Sequence, residues 1–125
     1  MSDQVLLPDD VREKLLEAGR LRGDDPWPVV KLFTPDAGCT WLLCELSEDR
    51  DMLFGLCDVG HGQPELGYVS LAELEELRGN LGLPIERDLY WTPRFPISRY
   101  AAAARDAGRI VDEIPEEAGK EDRHG

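Results

Sequence analysis

The chain predicts an α+β fold: a single domain built on an antiparallel sheet of about four to five strands with flanking helices. Three observations carry this. The apolar runs 29–33, 40–46 and 52–58 are joined by links too short for a crossover helix, which favours antiparallel neighbours. Segments with helical patterning precede and follow them. The length, 125 residues, holds one small domain and not two full ones.

In chain order, Asp9 or Asp10 is placed to cap a first helix and Gly19 to end it. Val11, Leu15 and Leu16 supply its apolar stripe, while Arg12, Glu13, Lys14 and Glu17 face water. After the loop Gly23-Asp24-Asp25-Pro26, the run Val29-Val30-Lys31-Leu32-Phe33 reads as a strand. Pro35 and Gly38 turn the chain into a second strand over residues 40–46. There Leu42, Cys44 and Leu46 share one face and Trp41 and Leu43 the other, so this strand reads as central and covered twice. A polar turn, 47–51, leads to a third strand over 52–58. Past Gly60, Gly62 and Pro64, Leu66-Gly67-Tyr68-Val69 reads as a fourth. Ser70-Leu71-Ala72-Glu73 matches a capping box and opens a helix bearing Leu71, Leu74 and Leu77, with Gly79 as stop. Residues 85–91 read as a further strand, and Pro96 or Ser98 opens a last helix running to Gly108. The domain spans 1–111; residues 112–125, polar and charged, read as a disordered acidic tail.

Charge narrows the functions. Asp and Glu number 26 against 14 Lys and Arg, a net −12 with His neutral. Residues 45–76 alone carry −8, with Arg50 their sole base, whereas 77–111 carry +3. Such a balance opposes ordinary binding to nucleic-acid phosphates or anionic lipid, which call for a positive surface. No apolar run approaches the roughly 20 residues of a membrane span, and no signal-peptide pattern opens the chain. Three cysteines, an odd count, do not read as a disulfide framework. The expectation is a cytoplasmic protein with free thiols and no membrane contact.

Four constellations are candidates for chemistry. Lys31 and Glu45 read as a pair facing each other across the first hairpin, a cross-strand ion pair or a binding feature. Cys39, Cys57 and His61 come close if strands two and three pair, but they make three ligands without a fourth, so no metal is expected. The loop Asp58–Glu65 combines His61 with carboxylates and would suit acid–base chemistry. The chain has only His61 and His124, however, and it has no nucleophile elbow or phosphate-cradling loop, so no catalytic residue and no cofactor is assigned. Finally, Arg78, Arg87, Arg94, Arg99, Arg105 and Arg109 interleave with Tyr90, Trp91, Phe95 and Tyr100, a pattern that grips single-stranded nucleic acid elsewhere.

Several word-like runs share an order with one known family. They are Pro28–Ala37, Thr40-Trp41-Leu42-Leu43, Phe54-Gly55-Leu56-Cys57-Asp58, Pro64–Leu71 and Gly82–Leu89. Over residues 8–111 the chain resembles a bacterial domain family of unknown function, catalogued as family 2958. The resemblance implies a small accessory protein of plasmids and integrative mobile elements, encoded beside transfer and antirestriction genes. It carries over no catalytic residue. Cys39 and Cys44 depart from the small or hydroxyl residues of the family pattern.

The leading expectation is a non-enzymatic binding module whose acids engage a basic protein partner, such as a nucleic-acid-handling or defence complex. Glu45, Glu48, Asp49, Asp51, Asp58 and Glu65 are the candidate partner-binding residues, spaced to mimic phosphates in a nucleic-acid groove. An inhibitor of restriction or CRISPR defence is its concrete form. The alternatives are a nucleic-acid accessory using the arginine/aromatic segment 87–109 and a small enzyme using the His61 loop.

Overall fold

The strand with the most buried residues, Thr40–Leu46, lies at the centre of a five-stranded antiparallel sheet. The computed structural model describes residues 5–111 together with Glu113 and Ile114. In chain order the elements are α1 (Asp9–Leu21), β1 (Val30–Phe33), β2 (Thr40–Leu46), β3 (Met52–Asp58), β4 (Glu65–Ser70), α2 (Leu71–Glu76), β5 (Glu86–Arg87) and α3 (Ile97–Ala107). Across the sheet the order is β4-β3-β2-β1-β5. The first four strands form the meander that their short links require, and the expected α+β class holds.

Each face of the sheet has its own core. On one, Val30, Leu32, Trp41, Leu43, Leu46 and Leu53 pack against Leu15 and Leu16 of α1 and Leu71 and Leu74 of α2. On the other, Leu42, Cys44 and Leu56 meet Ile97, Tyr100, Ala101 and Ala104 of α3. β2 is therefore covered twice, as its sequence implies. Leu46 has changed sides, though. The register slips between Leu43 and Glu45, where β2 bulges against β3. One extra residue moves every later side chain to the other face, so Leu46 joins Trp41 and Leu43. Gly55 stands opposite the bulge; a Cβ there would lie 2.1 Å from the Leu42 carbonyl oxygen.

Other expectations shift for identifiable reasons. The N-cap of α1 is Pro8, and Asp9 and Asp10 lie in the first turn, where they complement the helix dipole. Gly19 does not end α1, which continues to Leu21 and closes on Arg22 in the left-handed region. Gly19 serves a close approach instead, because a Cβ would come within 2.8 Å of the Leu46 carbonyl oxygen. α2 stops at Glu76, before Leu77 and Gly79. The Arg78 guanidinium donates to the Glu75 and Leu77 carbonyls, satisfying acceptors that the helix end leaves open. The expected strand over 85–91 shrinks to Glu86–Arg87. Beyond it the Asp88 carboxylate accepts from the Tyr90 and Trp91 amides and folds the chain into a turn. α3 opens after Pro96, and Ser98 bonds Asp25 through both its amide (3.0 Å) and its hydroxyl (2.5 Å).

The Lys31–Glu45 pairing is corrected. The register places Lys31 opposite Leu42, and its ammonium lies 3.3 Å from Asp88. Of the expected tail, Glu113 and Ile114 are described, and Ile114 packs against the α3 core. The rest of 112–125 lies outside the described residues.

Candidate protein-docking surface

The polar turn between β2 and β3 is held by its own side chains. Arg50 adopts φ 64° and donates its amide to the Ser47 carbonyl. The Ser47 hydroxyl donates to Asp49, whose carboxylate also accepts the Asp51 amide at 3.0 Å. These bonds stabilise the ionised form and hold the Asp49 carboxyl below its usual range, the Ser47 hydroxyl being the largest cause.

Asp51 reaches further. It accepts the Ser70 hydroxyl at 3.0 and 3.1 Å and the Ala72 amide at 3.1 Å, while its main-chain oxygen accepts the Leu71 amide at 2.7 Å. Ser70 accepts in turn from the Glu73 amide at 3.3 Å, one arm of the expected capping box. Asp51 thus fastens the start of α2 to the end of the β2–β3 turn.

Asp58 is buried at 4% exposure. Its two oxygens accept the Gly60 and Ile110 amides, each at 2.9 Å, which fixes the loop after β3 against the chain leaving α3. His61, in that loop, is exposed, and no group of three or more His, Cys, Asp or Glu is placed to hold a metal among the described residues. Cys44 and Cys57 are thiols in apolar surroundings, and burial pushes them up to about 12 and about 11.

The remaining candidates are differently placed. Glu45 sits in the bulge opposite Phe54, half-buried. Glu48 pairs with Arg20 at 2.9 Å, both largely exposed, and raises the Arg20 guanidinium further. Glu45 and Glu48 share the rim of a hollow of about 490 Å³ with Arg20, Arg22, Phe54 and Tyr68. Glu65 is exposed at the start of β4. Asp58 ends β3 next to Glu65, whereas Asp51 precedes the other end of that strand. Only Glu45 and Glu48 are brought together around one hollow; Asp51 and Asp58 are engaged in holding the fold.

What the structure does assemble is a charge division between layers. The helices on one face of the sheet, α1 and α2, carry seven exposed acids: Asp9, Asp10, Glu13, Glu17, Glu73, Glu75 and Glu76. They carry three bases, Arg12, Lys14 and Arg20. The opposite layer, residues 89–111, holds Arg94, Arg99, Arg105 and Arg109 against Asp106, with exposed Asp25 bonded to Ser98 at the start of α3 and exposed Glu113 beside Ile114. Sequence reading missed the α1 contribution because it gathered charge by position along the chain. The available signal was the helical spacing of the apolar residues within each helix, Leu15 and Leu16 in α1 and Leu71 and Leu74 in α2, which turns the acids of each helix outward.

The arginine/aromatic segment is largely internal. Tyr100 is 1% exposed, and its hydroxyl accepts the Arg94 amide at 3.0 Å. Trp91 and Phe95 pack edge-on against Tyr100 with centroids 5.9 and 6.1 Å away, and the Arg99 guanidinium covers Phe95 at 4.3 Å. Arg87 donates to the Val5 and Leu6 carbonyls and ties the N-terminal segment to β5. These aromatics build the α3 core, and Tyr90, at 94% exposure, is the one of the four that stands out in water.

The described surface thus comprises an acidic two-helix layer and a hollow rimmed by paired charges and aromatics. The chain belongs to the family described as protein of unknown function DUF2958, whose match covers residues 6–111. No curated protein and no solved structure matched the chain.

Proposed function

We propose that this protein is a non-enzymatic binding module that docks a basic protein surface through the acidic layer of α1 and α2. One observation carries the reading: exposed acids concentrate on the helices of one sheet face, while acids and bases are mixed on the opposite layer. A molecule charged in this way is steered, since a positively charged partner is attracted to one side more than to the other. Glu48, on the rim beside α1, is paired with Arg20, whereas Asp51 and Asp58 act through the fold by holding the elements that present the acidic layer. The basic partner is a nucleic-acid-handling protein whose groove normally takes phosphates. The module serves a plasmid or integrative element as an antirestriction or anti-CRISPR inhibitor.

The test is capture of partners on the immobilised chain, followed by a salt wash and competition with duplex DNA. The reading expects a partner that is released as salt rises and that loses its hold on DNA when the chain is added. Capture that is indifferent to salt, or unchanged by the triple substitution Glu73→Lys, Glu75→Lys, Glu76→Lys, overturns it.

A further inference from the structure

β4 is an outer strand of the sheet, paired on one side only. The direction of its free hydrogen-bonding groups follows from one bond. The Leu71 amide donates to the Asp51 carbonyl, so residues 51 and 71 form a hydrogen-bonded pair continuing the β3–β4 register from Met52↔Ser70 to Cys57↔Glu65. In an antiparallel ladder such pairs alternate. Val69, Gly67 and Glu65 therefore direct their amides and carbonyls to β3, and Ser70, Tyr68 and Leu66 direct theirs outward.

Natural sheet edges are blunted by bulges, prolines, lysines or a covering element. β4 contains neither proline nor lysine, and its register with β3 is unbroken over six residues. Its two sides differ in chemistry. Leu66 and Tyr68 share the face of Phe54, are 44% and 70% exposed, and the Tyr68 ring leans on Phe54 at 5.2 Å. Glu65 lies on the other face, the side of α2, which follows β4 directly and bears Glu73, Glu75 and Glu76.

We propose that the β4 edge receives an extended segment of the partner as a sixth strand, with apolar side chains over Leu66 and Tyr68 and alternate basic side chains toward Glu65 and α2. This rests on the basic-partner reading above and specifies how that partner docks. Main-chain bonds to the outward groups of Leu66 and Tyr68 and to the Ser70 amide supply affinity, and the period of two along a strand supplies the pattern. A second copy of the chain fits the edge less well, because antiparallel β4–β4 pairing sets the acidic start of α2 in each copy at the Glu65 end of the other.

The probe is a fluorescein-labelled Lys-Val-Lys-Val-Lys-Val-Lys peptide, read by polarisation against the full chain. Tyr68→Pro removes an outward amide that β3 does not use, a position where an edge strand tolerates proline. The expected result is binding that weakens at least tenfold with Tyr68→Pro, and equally with a peptide N-methylated at alternate residues on its pairing edge. The methylated peptide decides the matter even if the proline variant unfolds. Unchanged affinity for the methylated peptide overturns strand addition and leaves charge-driven docking standing. Equal affinity for a Glu-Val analogue overturns the basic occupant, and a concentration-dependent dimer that Tyr68→Pro abolishes overturns it in favour of a second copy.

Discussion

The Asp51 carboxylate accepts the Ser70 hydroxyl at 3.0 and 3.1 Å across 19 residues of chain, and through the Ala72 amide it also caps α2. Substituting Asp51→Ala removes those acceptors at once. Loss of a helix N-cap costs about 0.5–2 kcal/mol, so the urea midpoint falls by that equivalent with an unchanged m-value. Asp49→Ala, confined to the turn itself, lowers the midpoint less. Equal effects from the two substitutions contradict the bridging role.

Gly55 and Gly67 both lie in strands yet differ in surroundings. A methyl at position 55 meets the Leu42 carbonyl oxygen at 2.1 Å and the Leu43 Cα at 2.7 Å, whereas nothing lies within 4 Å at position 67. Overpacking of this kind costs about 1–3 kcal/mol, so Gly55→Ala unfolds markedly earlier. Gly67→Ala is neutral or stabilising by up to about 1 kcal/mol, because the substitution narrows the unfolded ensemble. Thermal unfolding of the two variants checks the contrast.

Thiol titration tests the packing of β2 and β3. Burial raises Cys44 to about 12 and Cys57 to about 11, so both stay protonated and unreactive at pH 8 in the native protein. A colorimetric thiol reagent modifies both rapidly only after unfolding. A raised thiol pKa contributes stability that is present below the unfolded value of about 8.5 and is lost as pH rises above it. Unfolding midpoints therefore fall above about pH 8.5, and Cys44→Ser, Cys57→Ser reduces that slope.

Acid acts through different groups. Burial works to raise Asp88, but the Tyr90 amide, Lys31 and the Trp91 amide outweigh it and hold the carboxyl below its usual range. Asp49 is lowered as well, chiefly by the Ser47 hydroxyl. Depressed carboxyls contribute stability above the unfolded value of about 3.9 and lose it as pH falls through the folded value. Stability thus declines below about pH 4. Lys31→Met makes that decline shallower, measured as the urea midpoint between pH 2.5 and 5.

The meander was legible because Val30–Phe33, Thr40–Leu46 and Met52–Asp58 are separated by turns of only a few residues, which leave no other pairing. The bulge was not, since its sole trace is Gly55 on the facing strand, and a glycine in a strand has several meanings. That slip moved Leu46 across the sheet. Lys31 and Glu45 fell apart for a simpler reason: the hairpin register places Leu42, not Glu45, across from Lys31. Asp51 and Asp58 looked like free surface acids because their partners, Ser70 and Ile110, lie 19 and 52 residues away, beyond any local pattern. The aromatics at 91, 95 and 100 suggested a stacking platform, but the face of β2 bearing Leu42 and Cys44 needs a cover, and they supply it.

The acidic layer of α1 and α2 is tested most directly by the salt dependence of affinity for the captured partner, measured with charge reversals on the two sides of the sheet. The account predicts that Glu73→Lys, Glu75→Lys, Glu76→Lys weakens binding at least tenfold at about 0.1 M salt and flattens the dependence on ionic strength. Arg105→Glu, Arg109→Glu leaves affinity unchanged or raises it. The reverse pattern, in which the arginine substitutions abolish binding and the α2 substitutions do not, contradicts the account.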